Sequence, residues 1–132
     1  MSHFRDKSHR ALKRLLANGP LTAVPKRPDD QALLLQLAAS RFEPERVYRE
    51  SEVNEELKRW LQTFCAPSGI DHVTIRRLLV DSRLLTRDKP GSIYRVNRER
   101  IQKLEPGGAM NPAQVLAQIQ IDREARKRER AT

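Results

Sequence analysis

Residues 71–96 constrain the fold of this chain more than any other stretch. Their first half has the periodicity of a short helix. Ile75, Leu78, Leu79 and Ser82 fall on one arc, while His72, Val73, Arg76, Arg77 and Val80 point more to the other side. Asp71 stands just ahead, with a carboxylate suited to the exposed N–H groups of a first helical turn. The second half has the turn chemistry of a hairpin: Leu84-Leu85-Thr86-Arg87, a Lys89-Pro90-Gly91-Ser92 turn, then Ile93-Tyr94-Arg95-Val96. A short helix with paired arginines, followed at once by a basic-tipped hairpin, has the order of a recognition helix and its wing.

The elements upstream supply the rest of such a domain. Residues 8–17 form an amphipathic segment with Ala11, Leu12, Leu15 and Leu16 as its stripe, stopped by Asn18-Gly19-Pro20. Two turns without an aromatic residue make a weak membrane-surface helix, so docking on the domain is expected. Pro20, Pro25 and Pro28, with Lys26 and Arg27, indicate an ordered arm or linker. Asp29 and Asp30 are expected to cap the next helix, residues 31–42, which buries Leu34, Leu37, Ala38 and Phe42. Arg46-Val47-Tyr48 is expected to be a short strand beside the hairpin. Residues 51–64 form the clearest helix, since Val53, Leu57, Trp60 and Phe64 recur at i, i+4, i+7 and i+11. The expected fold is mainly α with a small β-sheet (α+β): a winged helix-turn-helix with N-terminal and C-terminal helical extensions. Residues 1–28 form the basic arm and 29–104 the domain. Residues 105–132 hold a Gly-rich linker and a charged helix opened by Asn111-Pro112.

Charge is uneven along the chain. Of the net +9, residues 1–28 carry +6, residues 29–105 only +1 and residues 106–132 +2. Within the middle block, six glutamates against Arg46 and Arg49 make residues 43–56 acidic, whereas residues 58–103 carry eleven basic groups against four acids. Such basic surfaces attract polyanions through counterion release. The alternative is a protein that is simply basic.

The candidate nucleic-acid contacts follow from this pattern. Arg76 and Arg77 suit guanine edges or phosphate, and His72 and Thr74 near the helix start suit phosphate or base. Arg87, Lys89 and Arg95 of the hairpin suit phosphate, and Lys26 and Arg27 of the arm suit unspecific attraction. The opposing reading of Arg76 and Arg77 is a solvated pair held by neighbours such as Asp81. Glu50, Glu52, Glu55 and Glu56 argue against a nearby DNA backbone, unless that end of their helix tilts away. Other chemistry lacks support. Cys65 and His72 have no second pair at zinc-ligand spacing. Cys65 follows Phe64 as a partly buried small residue. Gly107-Gly108 lacks both the strand and the lysine of a phosphate loop. Neither an enzyme nor a cofactor is expected. Trp60 and Tyr94 are expected to be core and hairpin anchors.

The segment Thr74-Ile75-Arg76-Arg77-x-Leu79, followed by Leu84-Leu85-x-Arg87, resembles the recognition-helix-to-wing region of the DeoR and GntR repressor families. It departs from them in its shorter connection, Asp81-Ser82-Arg83, and in having no glycine before Leu84-Leu85. The chain resembles more closely a bacterial family, domain of unknown function two-zero-eight-seven. The shared motifs are Phe42-x-Pro44, Tyr48-x-Glu50-x-Glu52-Val53-Asn54, Ile75-Arg76-Arg77-x-Leu79-Val80-Asp81 and Tyr94. Weaker likeness at Gly19-x-Leu21-Thr22 and Pro25-Lys26 extends it over roughly residues 11–95. The resemblance implies a place in transcriptional regulators.

The expected function is therefore that of a cytoplasmic winged-helix protein that binds double-stranded DNA and regulates transcription. Two rivals stand beside it: a structured-RNA or ribosome-associated basic protein, and a protein-interaction module working through its acidic helix. No apolar run approaches a membrane span, and a single cysteine points to a reducing compartment. A homodimer is possible through Val115, Leu116 and Ile119, the apolar cluster of the last helix.

Overall fold

The computed structural model describes residues 3–104 and 111–131, with residues 3–6 and 102–104 as backbone. The elements are α1 (His3–Leu15), α2 (Pro28–Ala39), β1 (Tyr48–Arg49), α3 (Glu50–Gln62), α4 (His72–Asp81), β2 (Leu85–Arg87), β3 (Ile93–Val96), α5 (Arg98–Leu104) and α6 (Pro112–Ala131). The protein is mainly helical with one small three-stranded antiparallel sheet, ordered β1-β3-β2. The expected linker at residues 105–110 lies outside the described residues.

Helix α2 is the centre of the packing. Leu33, Leu34, Leu35, Leu37, Ala38 and Ala39 are all buried, so the wet side of the helix is reduced to a narrow stripe through Asp29 and Ala32. A helix apolar on nearly all sides needs cover on nearly all sides. Helices α1, α4 and α5 all pack against it. Leu12 and Leu16 of the basic N-terminal segment enter the core, with Leu16 fully buried. That segment is thus docked on the domain through its apolar stripe. The chain after it is tied down as well, because Leu21 bridges to Cys65 at the end of α3. Leu21 N donates to Phe64 O at 3.0 Å, and Ala66 N donates to Leu21 O at 2.9 Å.

Helix α3 buries Val53, Leu57, Trp60 and Leu61, and Phe64 just beyond it stacks edge-on to Trp60 with ring centroids 4.7 Å apart. Helix α4 lies against it and contributes Ile75 and Leu79, both fully buried. The sheet closes the other side. Tyr48 and Tyr94 are Cα partners and share its inner face, where both are buried. Leu85 and Val96 are also partners and add to the same layer.

The caps differ from expectation. Helix α2 begins at Pro28, ahead of both aspartates expected to cap it, with Arg27 as an extended N-cap. Asp30 is therefore inside the helix, buried, with Arg14 Nη2 at 2.6 Å from its carboxylate. Asp71 does occupy the N-cap position of α4, but its side chain makes no capping bond. Its carboxylate lies 3.5 Å from His72 Nδ1. At α3 it is Glu52 that serves the helix start, accepting from Arg49 N at 2.9 Å as one half of a capping box. The strand expected at residues 46–48 is displaced to Tyr48–Arg49, and Val47 remains exposed. Asn111 caps α6 as expected, accepting from Ala113 N at 3.0 Å.

Helix α6 returns to pack on α1. Leu116 is buried, while Val115 and Ile119 pack against the core. Leu116, of the cluster considered as a seam between two copies, is thus packed within the chain, while Val115 and Ile119 stay partly exposed. Arg123 reinforces this docking by donating to the Ala17 carbonyl just after α1. No described helix is long and apolar enough to cross a membrane.

Candidate nucleic-acid interface

Helix α4 and the β2–β3 hairpin hold most of the candidate residues, and the structure divides them. Thr74 and Arg77 are exposed, one helical turn apart. Ile75 and Leu79 anchor the opposite side of the helix, which fixes that outward face. Arg76 goes elsewhere. Its side chain is only 13% exposed, and its guanidinium turns back onto the first turns of α3. There it donates to Asn54 Oδ1 at 2.5 Å and lies 3.7 Å from Glu50 Oε1. The same Glu50 oxygen accepts from the Tyr94 hydroxyl at 2.9 Å. Arg76 thus braces α4 to α3, and only Arg77 of the arginine pair faces outward. The sequence placed both on the outer arc because neighbouring helical positions differ by 100°, which leaves Arg76 at the edge of the apolar arc and within reach of α3. His72 is half-buried beside Asp71.

The hairpin's cations are exposed on both of its faces. Arg95 and Thr86 are Cα partners on the outer face, which also carries Arg49 and Ile93. Arg87 is the partner of buried Tyr94, so its side chain leaves from the inner face at the strand end, where it is exposed. Lys89 is exposed in the turn. That turn runs over Asp88-Lys89-Pro90-Gly91, one residue earlier than the sequence suggests, with Gly91 N donating to Asp88 O at 2.9 Å and Gly91 at φ 75°. Asp88 organises it. One carboxylate oxygen accepts from Ser92 N at 2.8 Å and Ile93 N at 3.1 Å, and the other from Ser92 Oγ at 3.2 Å. These bonds, with that from Ile93 N as the main cause, hold the Asp88 carboxyl below its ordinary value of 3.8.

Between α4 and β2 lies a residue that sequence reasoning missed. Arg83 takes the left-handed conformation with φ 65°. It ends α4 as a Schellman motif: Leu84 N donates to Leu79 O at 2.9 Å and Arg83 N to Val80 O at 3.0 Å. Glycine usually holds that position. Here Asn97 Nδ2 fixes the turn by donating to the Arg83 carbonyl at 2.9 Å. The missing glycine before Leu84-Leu85 was the available signal: the turn is made without one. Its consequence is one more exposed guanidinium between helix and hairpin.

The acidic start of α3 is largely neutralised within the fold. Glu50 faces Arg76, Glu52 pairs with Arg46 at 2.9 Å, and Glu56 pairs with both Arg41 and Arg59 at 3.1 Å. The bonds from Arg49 N and Arg46 hold the Glu52 carboxyl below its ordinary value, with the backbone bond as the main cause. Asp71 and Asp81 remain exposed on α4. Lys26 is exposed ahead of α2, and Arg27 borders a cleft between α1 and α2 with a separate group of cations. Cys65 is buried, and burial pushes its thiol up to about 12.

No curated protein and no solved structure matches the chain. The matched segment, residues 20–96, runs from the turn after α1 to the end of β3, and so contains α2, the sheet, α3 and α4. Over that segment, more than half of its length, the chain belongs to the bacterial family described as uncharacterized protein conserved in bacteria (DUF2087).

Proposed function

We propose that this chain is a DNA-binding protein of the winged helix-turn-helix kind that regulates transcription, and not an enzyme. Helix α4 is the helix presented to the duplex, and the β2–β3 hairpin is the wing. One observation carries the reading. Arg77, Arg83, Arg87, Lys89 and Arg95 are exposed on a helix and the hairpin that follows it, and none has a carboxylate partner among the described residues. Unneutralised cations on consecutive elements suit a regularly charged backbone, with Arg77 and Thr74 positioned for base edges or phosphate. Arg76 takes no part in contact on this reading, since it is engaged by α3. Lys26 and Arg27 add long-range attraction only. On this reading the protein works in the cytoplasm, where its single cysteine stays reduced.

A structured-RNA partner draws on one observation of its own: α1 and α6 pack together, which joins two basic terminal segments in one layer. The test is selection of bound fragments from random duplex DNA at near-physiological salt, with structured RNA as competitor. A recovered sequence preference that Arg77→Ala weakens by about 1–3 kcal/mol on the preferred site, and little on random DNA, supports the reading. Recovery without preference, abolished by RNA, moves the RNA reading ahead. Indifference to both polyanions leaves a protein partner.

A further inference from the structure

Helices α1 and α2 enclose a cleft of about 530 Å³, within the size range of small-molecule sites. Its floor is apolar, built from Ala11 of α1 and from Ala32 and Leu33 of α2. Around the floor stand Lys7, Arg10, Arg14 and Arg27, facing Asp29 and Asp30. Arg14 and Asp30 neutralise one another at 2.6 Å. That leaves three exposed cations without a carboxylate partner among the described residues, against Asp29 alone.

We propose that this cleft binds a small amphipathic carboxylate, with its apolar body on the floor and its charged head among Lys7, Arg10 and Arg27. Charge complementarity selects an anion, and the buried Leu33 with its two alanines selects an apolar body. A nucleic-acid backbone would match the cations but leave the apolar floor without a partner. The site is separate from the face formed by α4 and the hairpin, so it stands or falls independently of the DNA reading.

The experiment is an amide NMR titration of the full chain with octanoate, 1-octanol and sulfate at constant ionic strength. Octanoate is expected to give saturable shifts concentrated in residues 7–14 and 27–36. Its affinity is expected to exceed that of octanol or sulfate by about tenfold, the worth of one charge-assisted hydrogen bond. Arg10→Gln with Arg27→Gln, both at exposed positions, is expected to remove that advantage and leave octanol unchanged. Ala32→Trp, also exposed, fills the cleft and is expected to abolish the shifts without lowering the melting temperature. Octanol or sulfate binding as tightly as octanoate would overturn the proposal. So would undiminished octanoate binding in Ala32→Trp, or the absence of any saturable shift.

Discussion

Arg76 and Asn54, 22 residues apart in the chain, are joined by a 2.5 Å hydrogen bond that locks the outer edge of α4 to the start of α3. Glu50 extends the link to the sheet through the Tyr94 hydroxyl. Arg76→Ala is therefore expected to lower stability by about 1–3 kcal/mol, because it leaves half-buried polar groups without their charged partner. Arg77→Ala, at an exposed position, is expected to stay within about 0.5 kcal/mol of wild type. Urea denaturation of the two variants checks this. Equal stabilities would mean that the Arg76 link contributes nothing in solution.

The left-handed Arg83 gives a prediction of the opposite sign. A non-glycine residue in that conformation carries strain of about 1–3 kcal/mol. Arg83→Gly is expected to raise stability by a fraction of this, about 0.5–1 kcal/mol, since glycine also gains freedom in the unfolded chain. Thermal unfolding reads the shift. If Arg83 contacts DNA, the same variant binds all duplexes more weakly and shows a salt slope shallower by about 0.9. A variant less stable than wild type would show that the Arg83 side chain contributes more than the strain removes.

Asp88 makes the hairpin acid-sensitive. Its carboxyl is held below 3.8 in the folded state. The contribution is therefore present at pH values above the unfolded value and is lost as pH falls through the lower folded value. Protection of the Ser92 and Ile93 amides, relative to their intrinsic exchange, is expected to fall as Asp88 protonates in that acid window, and Asp88→Asn is expected to flatten the dependence. Gly91→Val is expected to disturb the same turn at every pH, because Gly91 holds φ 75°. Protection at Ile93 that stays constant across this window, once intrinsic exchange is divided out, would remove Asp88 as the organiser of the turn.

Cys65 is predicted to be inert in the folded protein. With its thiol pushed to about 12 by burial, the thiolate fraction at pH 8 falls on the order of a thousandfold below that of an ordinary cysteine. A disulfide reagent is expected to react only after denaturant is added. The raised value also lowers stability as pH climbs from 9.0 towards 12, where the unfolded chain ionises first. Rapid labelling under native conditions would show that the end of α3 opens readily.

Leu16 and Trp60 test the two sides of the core. Leu16→Ala is expected to cost about 2–5 kcal/mol and Trp60→Ala about 3–5 kcal/mol. The first value decides whether α1 belongs to the cooperative unit. Deletion of residues 1–27 would then be no neutral removal of charge, because it also strips Arg14 from buried Asp30. An unchanged thermal midpoint for Leu16→Ala would restore the description of this segment as an arm.

The sequence by itself determined the elements whose apolar residues repeat against one neighbour. Val53, Leu57, Trp60 and Phe64 define the buried side of α3 through local spacing alone, and Pro90-Gly91 marks the hairpin through backbone chemistry that needs no partner. The mainly helical α+β class follows from those signals, and the family motifs lie within the matched segment. Tertiary structure decided the rest, for reasons of reach and of competition between partners. The Leu33-Leu34-Leu35 run has no single face, so only the packing of α1, α4 and α5 around α2 shows why all three are buried. Val115, Leu116 and Ile119 look the same whether they meet a second copy or α1. Arg76 and Arg77 are adjacent and chemically identical in the chain. A long guanidinium at the edge of a helix goes to whichever acceptor is nearest in space, and Asn54 and Glu50 are brought there only when α3 packs on α4.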